Sequence, residues 1–415
     1  MEEDQPKQDN PRVLKVLEAL KQASQELQTP DSAESKSSAI NALLELETES
    51  DSLLSRDPYL STLSHHLATL KTLVASLRKS TRHHSLRSFL TRRASTQSLS
   101  RLAGSIESEI QAWIDRESLD TLTKALKQQD NEEELIKLLS QFEDRVLRGF
   151  DRELQDLVLK TRVFNLIESC LCDSNSSNRV REHCAFVIVA LIKFNKDVFV
   201  GQVLMGATIK ALLTMASPNS MRVLCSLVRI IKSPLVDEIE FNGQIPKIIS
   251  LLNWDDSEMR VMGFVCVLEI GYFGRKEAID AMLEEGLVEK LVELQRSELG
   301  GDMMELEMCD EEGENKEGEK EKRLLERRPF SSCVARFAVQ LEVGEGLRQR
   351  ERRAFKQQIL VRVREASISD AEAATIIAEC KEIDESFGSF DEEMHILLLV
   401  SQRCEMAGLV GFAGF

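Results

Sequence analysis

The sequence predicts an all-α protein, with an N-terminal helical bundle followed by a solenoid of stacked helix pairs. Three observations lead there. The first is composition: 415 residues hold 19 Gly, 8 Pro and 5% aromatic residues, too few turn formers and aromatic strand partners for a large sandwich or barrel. The second is spacing: apolar side chains return every three or four residues along much of the chain, which gathers them on one helix face. The third is recurrence. Beyond position 160, similar apolar segments come back about every 40 residues, the period of helical solenoids.

Residues 1–10, MEEDQPKQDN, are polar and acidic. They lack the basic start and apolar stretch of a signal peptide and are expected to be disordered. Three helices follow between 11 and 80. They carry Val13, Leu14, Leu17 and Leu20, then Ile40, Leu43 and Leu44, then Leu63, Leu67, Leu70, Leu73, Val74 and Leu77. The pattern breaks at TPDSAES (29–35) and RDP (56–58), where Pro and small polar residues interrupt it. A fourth helix is expected from about Ser100 to Leu126 on Ile106, Ile110, Trp113 and Ile114. Asn131 followed by Glu132, Glu133 and Glu134 reads as an N-cap with an acidic first turn. It opens a helix through Leu135, Leu138, Leu139 and Phe142. Together these form a helical domain over 11–150.

From about 160 the texture changes. VFNLIESCL (163–171), TIKALLTMA (208–216), IPKIISLLN (245–253) and LVEKLVELQ (287–295) resemble one another. The first three lead through a polar turn to a second apolar stretch: RVREHCAFVIVALI (179–192), MRVLCSLVRII (221–231) and MRVMGFVCVLEI (259–270). Gly206, Gly243 and Gly286 stand ahead of three of the first segments. The pattern Gly-x-[Ile/Val]-x-x-[Ile/Leu]-[Ile/Val]-x-Leu, a polar turn, then [Val/Met]-Arg-x-x-[Cys/Gly] resembles the armadillo repeat. It is clearest over residues 243–270, GQIPKIISLLNWDDSEMRVMGFVCVLEI. With the helical N-terminal region, the chain resembles plant armadillo-repeat proteins related to the plant U-box group. The match is good over about 160–375 and loose over 11–150. The resemblance implies an armadillo-type solenoid of about four repeats and a binding rather than catalytic role. The Cys-Pro-Ile-like strand and Gly-x-x-Tyr turn of a U-box are absent, so ligase activity is not implied, although an accessory place in such a pathway is. Importin-like repeats carry a Trp, with an Asn four residues on. Here those positions fall on Phe186/Ala190 and Val265/Glu269, so capture of nuclear-localisation peptides is not implied either.

The fourth repeat is interrupted by an acidic insertion, 297–323, expected to be solvated and disordered. Helical pattern resumes at FSSCVARFAVQL (330–341) and continues into the charged GLRQRERRAFKQQILVRVREAS. The solenoid is placed over 160–379. The remainder, 380–415, departs from the tail expected of the family.

Nothing in the chain encodes a catalytic geometry. There is no Gly-x-Ser-x-Gly elbow, P-loop or Gly-x-Gly-x-x-Gly, so no enzyme and no cofactor is expected. His65-His66, His83-His84 and Cys170-x-Cys172 lack the second pair that structural zinc needs. The nine Cys are an odd number, and Cys184, Cys225 and Cys266 sit among apolar neighbours. Core thiols in a reducing compartment fit best, hence cytosol and/or nucleus. The longest apolar run, Cys184 to Ile192, is too short to span a bilayer and reads as a buried helix. The expected work is done by the solenoid face, which suits a protein partner offering an extended peptide or a helix. Phe186, Ala190, Arg229, Val265 and Glu269 are the candidate lining residues.

The chain's formal net charge is −17, yet between Asp57 and Glu107 there is no acidic residue. Lys71, Arg78, Lys79, Arg82, Arg87, Arg92, Arg93 and Arg101 all fall in that span. Three readings of this basic strip compete. It is a solvated surface loop between bundle helices, or a segment phosphorylated at Ser95, which follows Arg92-Arg93-Ala94 as basophilic kinases require, or a contact with anionic membrane lipid or with calmodulin. Nucleic acid is not an expected partner, since the strip has no interleaved aromatics and the rest of the chain repels phosphate.

Overall fold

The computed structural model describes residues 61–80, 86–128, 131–300 and 328–386, together with positions 17, 19, 21, 22 and 25; side chains at 61, 74–80, 86–96, 99, 298–300 and 382–386 are not included. Among the described residues there is no strand. Chain contacts divide the protein into two units, one from the residues up to 130 with 151–163, the other from 131–150 with the residues from 164 onwards.

The first unit is built on α1 (Ser61–Ser80) and the long α2 (Leu86–Gln128), which pack together. Leu63, Leu67 and Leu70 of α1 are buried, as are Ala103, Ile106, Ile110 and Trp113 of α2. Their steps of three and four are the helical period read from the sequence. Leu17 is buried too, and Lys21 Nζ donates to Gln111 Oε1 at 2.6 Å, so a helical stretch near position 20 belongs to this unit. One expectation changes here. The fourth helix does not begin near Ser100: α2 is helical from Leu86, so the backbone of 86–100 is helix and not a loop. No Pro and no acidic residue break this stretch, and its Leu, Arg and Ser residues tolerate helix. Also in this unit, α4 (Arg152–Thr161) packs on α2, with Leu154 and Val158 buried.

The second unit opens with α3 (Glu132–Leu147). As the Asn-Glu-Glu-Glu run predicts, Asn131 Oδ1 accepts the Glu134 N–H, at 3.3 Å. The chain then runs α5 (Val163–Cys172), α6 (Asn178–Phe194), α7 (Lys196–Met205), α8 (Thr208–Met215), α9 (Pro218–Ile231) and α10 (Ser233–Phe241). Next come α11 (Ile245–Ser250) with a 3-10 turn at Leu251–Asn253, α12 (Ser257–Phe273), α13 (Lys276–Glu284), α14 (Leu287–Gly300) and α15 (Cys333–Val343). The described chain ends with α16 (Gln349–Ala366) and α17 (Asp370–Ser386).

The order short helix, second helix, long helix occurs three times: α7–α8–α9, α10–α11–α12 and α13–α14–α15. Three helices in about 40 residues is the armadillo rather than the two-helix repeat. The sequence reading found the second and third helices and missed the first ones. Those have only nine or ten residues and bury few side chains each, Phe199 and Val203 in α7 and Leu235, Val236 and Ile239 in α10. That is too short a stretch for a period to emerge. The long helices stack side by side as α3–α6–α9–α12–α15–α17, and the first helices as α7–α10–α13. Each row buries what its neighbour exposes, as a solenoid requires. The buried helix read from CAFVIVALI is α6, where every residue from Val187 to Ile192 is in the core.

Starts of first helices also hold the ends of the long helices of their own repeats. Lys196 Nζ donates to the Ile230 carbonyl at 2.7 Å, and Ser233 Oγ donates to that of Phe273, also at 2.7 Å. Both satisfy carbonyls that a helix C-terminus leaves open. Gly243 and Gly286 take φ of +60° and +74°, the left-handed turn into the second helix that favours glycine. Two boundaries shift relative to the sequence reading. Residues 297–300 finish α14, and α17 runs on to Ser386 with Cys380 buried. The N-terminal residues 1–10, the bulk of the acidic insertion (301–323) and the tail from 387 lie outside the described residues.

Candidate functional site: the row of long helices

A ladder of polar contacts crosses the row from α3 to α15, its rungs joining each long helix to the next. From α6 to α3, Ser177 Oγ donates to Glu132 Oε1 at 2.8 Å and Arg179 pairs with Glu133 at 2.7 Å. Ser140 and His183 face each other at 3.4 Å. Glu182 of α6 receives Ser217 Oγ, the α9 N-cap, at 2.5 Å and Asn219 Nδ2 at 2.9 Å. Arg222 of α9 pairs with Glu258 of α12 at 2.6 Å. Farther along the same two helices, Arg229 Nε donates to Glu269 Oε1 at 2.8 Å. At the next step the rungs change character. Arg336 of α15 lies 4.8 Å from the centre of the Phe264 ring in α12, and Arg260 lies 5.7 Å from that of Phe330.

The five candidate lining residues all sit on these long helices. Phe186 and Val265 are half-buried, with accessible surface on α6 and α12. The Phe186 ring meets His183 edge-on at 6.2 Å. Ala190 is buried at 2% exposure and packs between helices. Arg229 and Glu269 hold each other, with side-chain exposures of 15% and 7%. Their charges are spent within the solenoid and not presented to solvent. The side chains of Arg78, Lys79, Arg82, Arg87, Arg92, Arg93 and Ser95 lie outside the described residues.

Reading from the sequence missed the ladder residues Glu182, Asn219, Arg222 and Glu258. A signal existed: Arg222 is the arginine of the [Val/Met]-Arg motif, and Glu182 stands four positions before Phe186, on the same helical face. The motif arginine is not used alike in each repeat. Arg181 is buried and donates to the Leu171 carbonyl at 2.9 Å, at the end of α5.

Beside the row, Glu143 of α3 carries a carboxyl raised from the usual 4.5 to about 7, first by burial and then by the Asp144 charge, against a lowering by Lys193. An acid whose folded pKa is raised keeps a proton that the unfolded chain has lost. Stability therefore falls as pH rises from about 4.5 to about 7 and is level above that. With screening of a partly accessible group, the loss is about 2 kcal/mol. Denaturant titration of Glu143→Gln should show the variant about 2 kcal/mol more stable than the parent at pH 8, the difference vanishing towards pH 4.5. Equal stability of the two chains across that range would refute the assignment.

Elsewhere, an open acidic cleft of ≈ 930 Å³ lies in the first unit between α2 and α4, lined by Glu107, Asp115, Asp120 and Asp156 with Arg116 and Lys160. Asp115 in it accepts Gln111 Nε2 at 2.6 Å. Among the described residues no three His, Cys, Asp or Glu side chains gather as a metal site. The hydrogen bond with Cys170, and then burial, hold the Cys184 thiol well above its usual range, and the hydrogen bond with Cys266, and then burial, do the same for Cys225.

No protein-family model matches the chain, and no curated protein matches it. Among solved structures it is similar to a designed armadillo repeat protein, YIII(Dq)4CqI, at 14% identity and a TM-score of 0.38, over 63% of this chain and 98% of that one. A second designed armadillo repeat protein, solved in complex with the peptide (KR)4, gives 14% identity and a TM-score of 0.39 over 64% of this chain and 98% of that one. An engineered protein aligns over 90% of this chain and 98% of its own length, at 14% identity and a TM-score of 0.38. The armadillo-type architecture described above stands on the order and stacking of this chain's own helices.

Proposed function

We propose that the protein is a non-catalytic scaffold that binds a protein partner along its row of long helices. The observation that carries this is the row itself: side-by-side long helices with polar rungs between them and half-buried Phe186 and Val265 facing outward. Such a surface offers periodic polar and apolar subsites to an extended chain or a helix. The ladder fixes the spacing of those subsites before any partner arrives, and preorganisation lowers the cost of binding. The partner's side chains are expected to address the half-buried positions rather than Arg229 and Glu269, which are already engaged. The Arg-Arg-Ala-Ser stretch ending at Ser95 is part of the same proposal, as the place where a kinase would regulate the scaffold.

Panning a displayed random peptide library on the full chain tests it. Peptides selected on the parent should bind Phe186→Asp/Val265→Asp about 100-fold more weakly, because each change puts an unpaired charge where an apolar anchor docks. Both sites are partly exposed, so the variant's thermal midpoint should stay close to the parent's. Selected peptides that bind parent and variant equally would move the binding site off this row.

A further inference from the structure

α16 carries a second charged surface, separate from the row of long helices. Its inner face is buried through Phe355, Ile359 and Val363, and the basic side chains flanking that face are used in the fold. Arg352 donates to the carbonyls of Leu347, Glu342 and Gly344, Lys356 pairs with Glu342, and Arg362 lies 3.4 Å from Glu289. The outer face differs. Arg350, Arg353, Gln357, Val361 and Arg364 are all exposed. Their spacing of three, four, four and three places them in one stripe along the helix. The stripe is about 21 Å long and contains no acidic residue. None of its three arginines makes an ion pair or side-chain hydrogen bond with a described residue. Val361 is 50% exposed in the middle of it. In a chain of net charge −17, an unpaired basic stripe around an exposed valine calls for an acidic occupant.

The same chain supplies one. Residues 302–321, DMMELEMCDEEGENKEGEKE, hold ten carboxylates against Lys316 and Lys320, and include Met303, Met304, Leu306 and Met308. This segment leaves the described chain after α14 and rejoins it at Arg328, just ahead of α15. Both helices pack directly against α16. It is thus tethered at each end to a helix that packs on α16. Twenty-seven residues, 301–327, separate the two anchors, and even a third of them extended spans about 30 Å, more than the stripe needs. Tethering of this kind amounts to a local concentration of about a millimolar, enough for attractions that would be weak between separate molecules. We propose that the outer face of α16 is the docking surface for the acidic segment 302–321 of its own chain, with Arg350, Arg353 and Arg364 meeting its carboxylates and Val361 one of its apolar side chains. This is independent of the scaffold function: it concerns another helix face and survives if the row of long helices binds nothing.

The test uses the full chain with Arg350→Lys, Arg353→Lys and Arg364→Lys, which keeps the charge and places an amine at each position. A carbodiimide joins an amine to a carboxylate only on direct contact. The expected products link these lysines to carboxylates between Glu305 and Glu321 within one chain, and their yield should fall about fivefold in about 1 M NaCl. Coupling only to carboxylates outside 302–321 overturns the proposal. So do products that join two chains in an equal mixture of light and isotopically heavy protein. Flotation of the unmodified full chain with phosphatidylserine vesicles, lost in Arg350→Gln/Arg353→Gln/Arg364→Gln, would show the face open to a different anion and would overturn it as well.

Discussion

Replacing Arg229 with methionine should lower the unfolding free energy by about 3 kcal/mol, although both residue types are long and flexible. The loss comes from what is left behind. Glu269 has a side-chain exposure of 7% and accepts Arg229 Nε at 2.8 Å. Without the guanidinium, its carboxylate stays desolvated in a helix interface and loses that hydrogen-bonded countercharge. The pair taken as a whole is worth far less, because both ions lose water when α9 and α12 pack. Arg229→Met/Glu269→Leu should therefore lie within about 1 kcal/mol of the parent. Denaturant unfolding followed by circular dichroism measures all three chains. A single variant that costs under about 1 kcal/mol, or a double variant as unstable as the single, would show that the pair does not join the two helices.

This prediction also separates what the sequence could say from what it could not. Arg229 and Glu269 stand out on the sequence as charges in apolar helices, and a charge in an apolar helix reads naturally as a ligand contact. That they meet each other is a property of how the two helices are staggered, 40 residues apart in the chain. Apolar periodicity fixes which face of each helix is buried, but not which residue of the next helix lies opposite. The same limit explains Ala190. Its place four residues after Phe186 puts both on one helical face, yet the neighbouring helix covers one and leaves the other half open.

Where a local rule decides, the sequence was enough. Asn131 caps α3, Cys184, Cys225 and Cys266 are buried, and the positive φ at Gly243 and Gly286 falls where a glycine precedes the second helix. The short helices α7, α10 and α13 were not legible, since two to four buried positions in nine or ten residues fit several patterns. Glu168 shows another blind spot. Its Oε1 accepts the Ala207 N–H at 3.0 Å and Thr208 Oγ1 at 2.7 Å, capping α8 from the preceding repeat. A helix start whose cap lies 39 residues away carries no N-cap residue of its own to be read.

Phe337 offers the largest single expected effect. Its ring is fully buried in α15 and packs towards α12, where Gly271 has no side chain to oppose it. Truncation to alanine should cost about 4 kcal/mol, as the removed ring leaves a cavity that two packed long helices cannot close. Gly271 makes the test sharper. A Cβ placed there would lie 3.1 Å from Phe337 Cε2, closer than a comfortable contact. In the parent chain Gly271→Ala therefore sets about 1 kcal/mol gained in helix propensity against a larger cost of pushing the ring aside. In the Phe337→Ala background the ring is gone. There the same methyl keeps its propensity gain and fills part of the void, stabilising by about 1–2 kcal/mol. The sign of Gly271→Ala should thus reverse between the two backgrounds, a coupling of about 2 kcal/mol. If it has the same sign and size in both, the ring is not seated on that glycine. The contact between α12 and α15 would then have to be carried by Arg336 and Phe264 instead.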